Sequence, residues 1–228
     1  MRKIFGTASL HRFSNKSRDR IIYTALNNGF SQFDTAGVYG LGATNKYLGS
    51  LGLSRDVAFS AKIGLTSGNA FTSSRVEFLL RKIILVKDSR IREDNCYSNW
   101  QHQFETQLND LRVTKVQRLL LHERLLTLDL WQLFQRFKKE YKDHFEECGV
   151  SASWAMLRPT ICKISDEKLL IQTTPDILSE TKLKAQKNII LYGISRSLNN
   201  NSINFSKKKI EGVIYFSSKL FRIKNFLL

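Results

Sequence analysis

Val116–His122 has the sequence VQRLLLH, a mainly apolar run that ends on a histidine. A run that is apolar without strict alternation is typical of a strand covered on both faces, as in a parallel sheet. Comparable short runs recur along the chain. With this one, the predicted strands are Lys3–Thr7, Phe30–Asp34, Val57–Lys62, Val116–His122, Glu147–Ser151, Leu169–Gln172, Asn188–Leu191 and Gly212–Phe216.

Segments with helical periodicity lie between the predicted strands. Ser17–Asn28 places apolar residues at helical spacing and stops before Gly29, and Leu128–Tyr141 has one apolar stripe. Ser98 is in a suitable position to cap another helix that follows it. Repeated alternation of strand and helix predicts an α/β fold, and the number of strands predicts a (β/α)8 TIM-type barrel.

Two connections depart from the regular barrel pattern. Residues 63–115 form a long insertion between the third and fourth predicted strands, in which Arg75–Val86 is expected to be an extra helix or hairpin. Residues 195–211 form a short polar connection without an apolar stripe, and Leu228 falls where a last helix would begin. We therefore expect one domain over residues 1–228, with a barrel that is incomplete at its C-terminal end.

The chain is strongly basic. Lys and Arg number 36 and Asp and Glu 20, a formal net charge of +16. Such an excess can indicate a nucleic acid, a membrane surface or a phosphorylated ligand. The basic residues are spread out, however, and the densest run is only Lys207–Lys209. We interpret the charge as a lysine-rich surface and expect neither a nucleic-acid nor a membrane partner.

Cysteine usage and the N-terminal sequence bear on the compartment. Cys96, Cys148 and Cys162 form no CxxC pair, which argues against a disulfide framework and a zinc site, and we expect no metal. Met1–Gly6 lacks the apolar run of a signal peptide. No run of the length that a membrane span needs, about 18 apolar residues or more, is present. These features predict a cytoplasmic protein.

Titratable side chains follow several of the predicted strands. In a barrel of this type, residues at the carboxyl ends of the strands build the functional site. Asp34, Lys62 and His122 end three of the strands, and Tyr39 follows Asp34 closely. A phenol can donate a proton to a forming alkoxide, a nearby ammonium makes it a better acid, and a buried ammonium needs a carboxylate. A neutral histidine can orient a carbonyl oxygen.

The residues around these positions resemble a known family. Phe33–Gly49, with the sequence FDTAGVYGLGATNKYLG, resembles the signature segment of the aldo-keto reductase superfamily. Phe59–Lys62 resembles the family's lysine strand and Leu119–His122 its histidine strand. Gly6–Ala8 and Gly149–Ser151 also match.

This resemblance implies an oxidoreductase on a (β/α)8 barrel that transfers a hydride between a nicotinamide cofactor and a small carbonyl or alcohol. It implies Tyr39 as proton donor, Lys62 and Asp34 as the pair that tunes it, and His122 as the residue that orients the substrate. NADP(H) is expected in preference to NAD(H). The residues expected at the cofactor are Ser151 and Gln172 at the nicotinamide carboxamide, and Ser217, Ser218, Lys219, Arg222 and Asn225 at the adenosine phosphate.

The chain departs from the family pattern in places, and these departures keep other hypotheses open. Asn45 replaces a glutamate of the signature, and Ala152 stands where an asparagine normally follows Gly149–Ser151. The first alternative is a catalytically weak or inactive barrel that binds the cofactor or regulates. The second is an unstable product, in which missing helix cover over the seventh and eighth strands exposes apolar strand residues such as Val213, Ile214 and Phe216. The third is a nucleic-acid-binding protein, motivated by the net charge.

Overall fold

The computed structural model describes residues 1–53, 57–66, 91–122, 125–164, 169–179, 188–193, 210–217 and 222. The strands within these ranges are β1 (Arg2–Gly6), β2 (Gln32–Asp34), β3 (Ala58–Ile63), β4 (Leu65–Thr66), β5 (Arg92–Glu93), β6 (Val116–His122), β7 (Phe145–Ser151), β8 (Leu170–Thr173), β9 (Asn188–Leu191) and β10 (Ile210–Tyr215). The α-helices are α1 (Asn15–Asn27), α2 (Ala43–Ser50), α3 (Tyr97–Leu111), α4 (Leu128–Glu140) and α5 (Trp154–Ile161).

Eight of the strands close into a barrel. Around it, β1 is followed by β2, β3, β6, β7, β8, β9 and β10, and β10 returns to β1. Every neighbouring pair is parallel. The predicted (β/α)8 TIM-type barrel is therefore confirmed, and each predicted strand is found with its ends within two residues of the prediction.

The C-terminal strands complete the sheet. Because β10 pairs with both β9 and β1, the predicted incompleteness does not extend to the sheet itself. The last strand begins at Ile210, two residues earlier than predicted, so it takes in the end of the predicted 195–211 connection. The rest of that connection lies outside the described residues. The predicted exposure of Val213 is wrong, because its side chain is fully buried, while Ile214 and Phe216 are half-buried.

Within the long insertion, β4 and β5 form a small antiparallel pair and α3 follows them. Arg75–Val86 lies outside the described residues. The prediction that Ser98 caps α3 is wrong, since the helix begins at Tyr97 with Cys96 before it. The carboxylate of Asp94 instead accepts hydrogen bonds from the Cys96 amide at 2.9 Å and the Asn99 side chain at 3.3 Å. Asp94 thus holds the residues around the start of α3, while the N-cap residue itself, Cys96, makes no side-chain cap hydrogen bond.

The hydrophobic core has two parts. One lies inside the barrel, where Ile4, Leu120, Leu170 and Ile190 are buried together with the half-buried Ile214. The other, larger part lies between the strands and the helices and takes in Trp100, Phe104, Phe134, Phe137 and Trp154. Trp154 is buried and packs within this part of the core. Dense apolar burial on both faces of the strands explains why the strand sequences are nearly continuous apolar runs.

Charged residues close the amino-terminal end of the barrel. Arg118 of β6 is almost fully buried, and its guanidinium donates to the Glu147 carboxylate at 3.2 Å and also to the Gln32 side chain. Arg2 of β1 donates to the same Glu147 carboxylate at 2.6 Å. Burial lowers the pKa of Arg118, whereas the charge on Glu147 raises it. Pairing with Glu147 therefore compensates a cation that is removed from water.

Candidate active site

The four catalytic residues predicted from the sequence lie together at the carboxyl end of the barrel. We call them the rim residues: Asp34, Tyr39, Lys62 and His122. Asp34 ends β2, Lys62 is near the end of β3, and His122 ends β6. The Lys62 ammonium donates to Oδ2 of Asp34 at 2.8 Å and to the phenol oxygen of Tyr39 at 3.1 Å. One cation thus joins a carboxylate and a phenol that come from different segments.

Lys62 is a buried cation with two partners. Its side chain is 2% exposed and that of Asp34 is 6% exposed. Burial by itself would lower the pKa of Lys62, but the Asp34 carboxylate and the Tyr39 oxygen outweigh burial and raise it above the usual value. Lys62 is therefore positively charged over the whole neutral range, which favours negative charge on the Tyr39 oxygen.

Tyr39 is held by a strained turn. It opens a short 3-10 segment, Tyr39–Gly42, in which Gly40 and Leu41 have φ values of 59° and 56°. A Cβ at position 40 would lie 2.5 Å from the Cβ of His11, so only glycine fits there. The left-handed backbone of Leu41 is uncommon for a residue with a side chain and is typical of functional loops.

His122 lies against Tyr39. The two rings meet edge to face, with centroids 5.7 Å apart and planes at 75°. Burial, and after it the positive charge of Lys62, lower the pKa of His122 well below 6.5. The imidazole is therefore neutral at neutral pH and has one N–H that can donate a hydrogen bond.

Ser151 and Gln172 lie beside the rim residues. Ser151 pairs in register with His122 on one side and with Gln172 on the other, so the three form one row across β6, β7 and β8. The Gln172 side chain also donates from Nε2 to Oδ1 of Asp34 at 3.1 Å. This contact with the Asp34 carboxylate has no counterpart in the sequence prediction, which placed Gln172 at the nicotinamide only.

Five residues were predicted to bind the adenosine phosphate, and we call them the phosphate-binding group. Two of them, Ser217 and Arg222, lie within the described ranges. Ser217 is buried, and the carbonyl oxygen of Arg222 accepts a hydrogen bond from the Tyr215 hydroxyl at 3.1 Å. The other three members, Ser218, Lys219 and Asn225, lie outside the described residues. Nothing in the described ranges groups three or more His, Cys, Asp or Glu side chains as a metal site would need.

Two glutamines of α3, which the sequence prediction did not include, support the end of β3. Gln107 accepts from the Lys62 amide at 3.1 Å and donates to the Lys62 carbonyl oxygen at 2.8 Å. Gln103, one helical turn earlier, accepts from the Gly64 amide at 3.1 Å. Their signal in the sequence is weak: an amide residue on the helix face that also carries Trp100, Phe104 and Leu108.

Comparison with known families identifies the family of the chain. The model of the aldo/keto reductase family matches residues 4–155, well over half of the 228 residues. The chain belongs to this family. The matched range of the aldo/keto reductase family includes all four rim residues and Ser151, whereas Gln172 and the predicted phosphate-binding group lie beyond it.

Solved structures in the family show the same fold. A Pseudomonas aeruginosa protein described as an aldo-keto reductase is 16% identical, with a TM-score of 0.68 over 97% of this chain and 86% of that one. The holo form of aldo-keto reductase AKR11C1 from Bacillus halodurans is 16% identical, with a TM-score of 0.66 over 96% and 83%. Glycerol dehydrogenase AKR11B4 from Gluconobacter oxydans is 17% identical, with a TM-score of 0.62 over 92% and 64%.

At these identities the likeness concerns the fold alone. Comparison with curated proteins gave no match. Among the helices in the described part of the chain, none combines the length and apolar character that a membrane crossing requires.

Proposed function

We propose that the chain reduces an aldehyde or ketone to an alcohol, or catalyses the reverse reaction, with a nicotinamide cofactor as hydride carrier and Tyr39 as proton donor. The observation that carries the proposal is the placement of the Lys62 ammonium, 2.8 Å from Asp34 and 3.1 Å from the Tyr39 oxygen. An acid, the cation that strengthens it and the anion that retains that cation are thus assembled at the barrel rim.

The residues present fit a nicotinamide ring beside this acid. Ser151 and Gln172 offer a hydroxyl and an amide on adjacent strands, in the same row as His122. These groups suit a carboxamide, which both donates and accepts hydrogen bonds. The reduced cofactor, when bound, supplies the hydride that the carbonyl carbon receives.

Residues of the chain protonate and orient the carbonyl oxygen of the substrate. As the carbonyl carbon gains the hydride, the oxygen takes the proton of the Tyr39 hydroxyl, and the Lys62 ammonium stabilises the resulting phenolate. The neutral N–H of His122 donates to the same carbonyl oxygen and orients it toward Tyr39. Asp34 keeps Lys62 charged and in place.

NADP(H) is the proposed cofactor because of the cationic residues after β10. A 2′-phosphate suits a bidentate guanidinium and an ammonium, and Arg222 and Lys219 provide one of each. NAD(H) has no 2′-phosphate, so neither side chain would strengthen its binding.

A second candidate is a barrel that binds the cofactor but has no useful turnover. The observation that favours it is Ala152, a buried apolar side chain directly after Ser151, where the family pattern has an amide. It predicts saturable cofactor binding with no consumption of NADPH.

The experiment is a fluorescence titration of the purified chain with NADPH and, in parallel, NADH. A panel of aldehydes and ketones with NADPH in excess follows. We expect saturable binding, tighter for NADPH, and steady consumption of NADPH with at least one substrate. Binding without consumption favours the second candidate, and folded protein that binds neither cofactor contradicts both.

A further inference from the structure

Gln107 lies between the two segments that supply the proposed acid and its cation. Its amide makes both hydrogen bonds to the Lys62 peptide, at 3.1 Å from the amide nitrogen and 2.8 Å to the carbonyl oxygen. On its other side it packs on Gly37, where an added Cβ would lie 3.3 Å from the Gln107 amide carbon. Gly37 belongs to the loop that leads from Asp34 to Tyr39.

The barrel register explains why Lys62 needs this support. On the β2 side, the pairings of β3 are Gln32 with Ala58 and Phe33 with Phe59, and β2 ends at Asp34. The backbone amide and carbonyl of Lys62 lie beyond these pairings, and buried backbone groups without hydrogen-bond partners destabilise the fold. Gln107 is 2% exposed and supplies the donor and the acceptor that a longer β2 would offer.

Gln107 is itself fixed by its surroundings. Its Nε2 also donates to the Gln103 carbonyl oxygen of the same helix at 3.1 Å. The Gln103 side chain donates to the Asp94 carboxylate at 3.0 Å, and the Asp94 amide donates to the Gly64 carbonyl oxygen at 2.9 Å. These bonds tie the middle of α3, through Gln103 and Asp94, to Gly64, two residues after Lys62.

We propose that Gln107 is a positioning residue: by clamping the Lys62 peptide and packing on Gly37, it sets the distance of the Lys62 ammonium from Tyr39 and Asp34. The inference rests on the proposed reductase function. A shift of about 1 Å in a reacting group can lower a rate about 100-fold, so loss of the clamp acts on turnover more than on binding.

The first test compares Gln107→Met with Gln101→Met. Gln101 is on the same helix, but its amide donates to Glu140 at 2.7 Å, away from the rim. We expect Gln107→Met to lower kcat at least about tenfold with the Kd for NADPH changed less than about threefold, and Gln101→Met to leave both unchanged. A folded Gln107→Met with kcat within twofold of the parent overturns the inference.

Gln107→Glu distinguishes loss of the clamp from a general loss of stability. The introduced carboxylate can still accept from the Lys62 amide but cannot donate to its carbonyl oxygen, whereas the protonated carboxyl group can do both. The ratio of its kcat to the parent's is therefore expected to rise as pH falls. A ratio that stays constant with pH contradicts the proposed clamp.

A third measurement needs no turnover, so it separates this inference from the proposed function. Lysine labelled with ¹³C at Cε reports the surroundings of the Lys62 ammonium by NMR at neutral pH, with Lys62→Met used for assignment. If Gln107 holds the ammonium against Asp34, Gln107→Met shifts the Lys62 Cε resonance and Gln101→Met does not. An unshifted resonance overturns the inference even if the parent enzyme is active. A shift in a protein that reduces no carbonyl supports it while the proposed function fails.

Discussion

The side-chain amide of Gln172 donates a 3.1 Å hydrogen bond to Oδ1 of Asp34, a residue 138 positions earlier in the chain. The other oxygen of the same carboxylate accepts from Lys62 at 2.8 Å. Asp34 is therefore held from two sides, by a cation on β3 and by an amide on β8. This arrangement gives Gln172 a role in orienting the carboxylate in addition to its proposed contact with the cofactor.

Gln172→Met is expected to disturb both the fold and the reaction. It removes a hydrogen bond to a buried charged group, a contribution of about 1.5–3 kcal/mol, so the free energy of unfolding should fall by that order. Because Asp34 then orients Lys62 less well, kcat should fall about tenfold or more. Urea unfolding and NADPH consumption measure the two effects. Gln101→Met is the control. If Gln172→Met left the free energy of unfolding and kcat unchanged, its contact with Asp34 would have no role.

Substitutions of Lys62 and Asp34 should have non-additive effects on the free energy of unfolding, whereas activity should be lost in the double variant as well. Lys62→Met leaves a buried carboxylate without its cation, a change that typically costs about 3–5 kcal/mol. Adding Asp34→Asn removes that charge, so the double variant should recover much of the lost stability and remain inactive. A double-mutant cycle of unfolding free energies measures the coupling. Costs that simply add would contradict a direct interaction between the two side chains.

His122 should make stability depend on pH in the acid range. Its pKa is lowered in the folded state, so below about pH 6.5 the unfolded chain binds a proton that the folded chain does not. The contribution of His122 to the free energy of unfolding is complete above pH 6.5. It is lost as pH falls below that value, by up to about 1.4 kcal/mol per pH unit. Unfolding measured from pH 7.5 to 5 should show a shallower pH dependence for His122→Gln than for the parent. The same change at the exposed His102 is the control, and equal slopes for His122→Gln and the parent would refute the assignment of a neutral His122.

The charged end of the barrel should matter for stability alone. Glu147→Gln leaves the buried Arg118 and the partly exposed Arg2 without their shared carboxylate. Because Glu147 is 25% exposed and water screens it, we expect a loss of about 1–3 kcal/mol, below the cost of breaking a fully buried pair. NADPH binding and kcat should be unchanged, since Arg118 lies at the amino-terminal end. A change in kcat without a change in stability would argue against this assignment.

The sequence predicted the strands well because burial on both faces requires nearly continuous apolar runs, as in Val116–His122. It also predicted Asp34, Lys62 and His122 as neighbours, since the carboxyl ends of parallel strands meet at one rim. It did not predict the contacts of Gln172 and Gln107. A glutamine carries no local pattern, and its partner depends on strand register and helix packing across 138 and 45 positions. The start of α3 was also misplaced, because the helix begins at Tyr97 after Cys96 and Ser98 therefore lies inside it.

Tyr39→Phe removes a single oxygen and so tests most directly whether Tyr39 supplies the proton of the reduction. Turnover is measured with saturating NADPH and the best carbonyl substrate, and NADPH binding by nicotinamide fluorescence. We expect a Kd for NADPH close to the parent's, an unchanged fold, and a fall in kcat of at least about 100-fold, in the range that general acid catalysis contributes. A Tyr39→Phe protein that turns over substrate as fast as the parent would show that Tyr39 is not the proton donor.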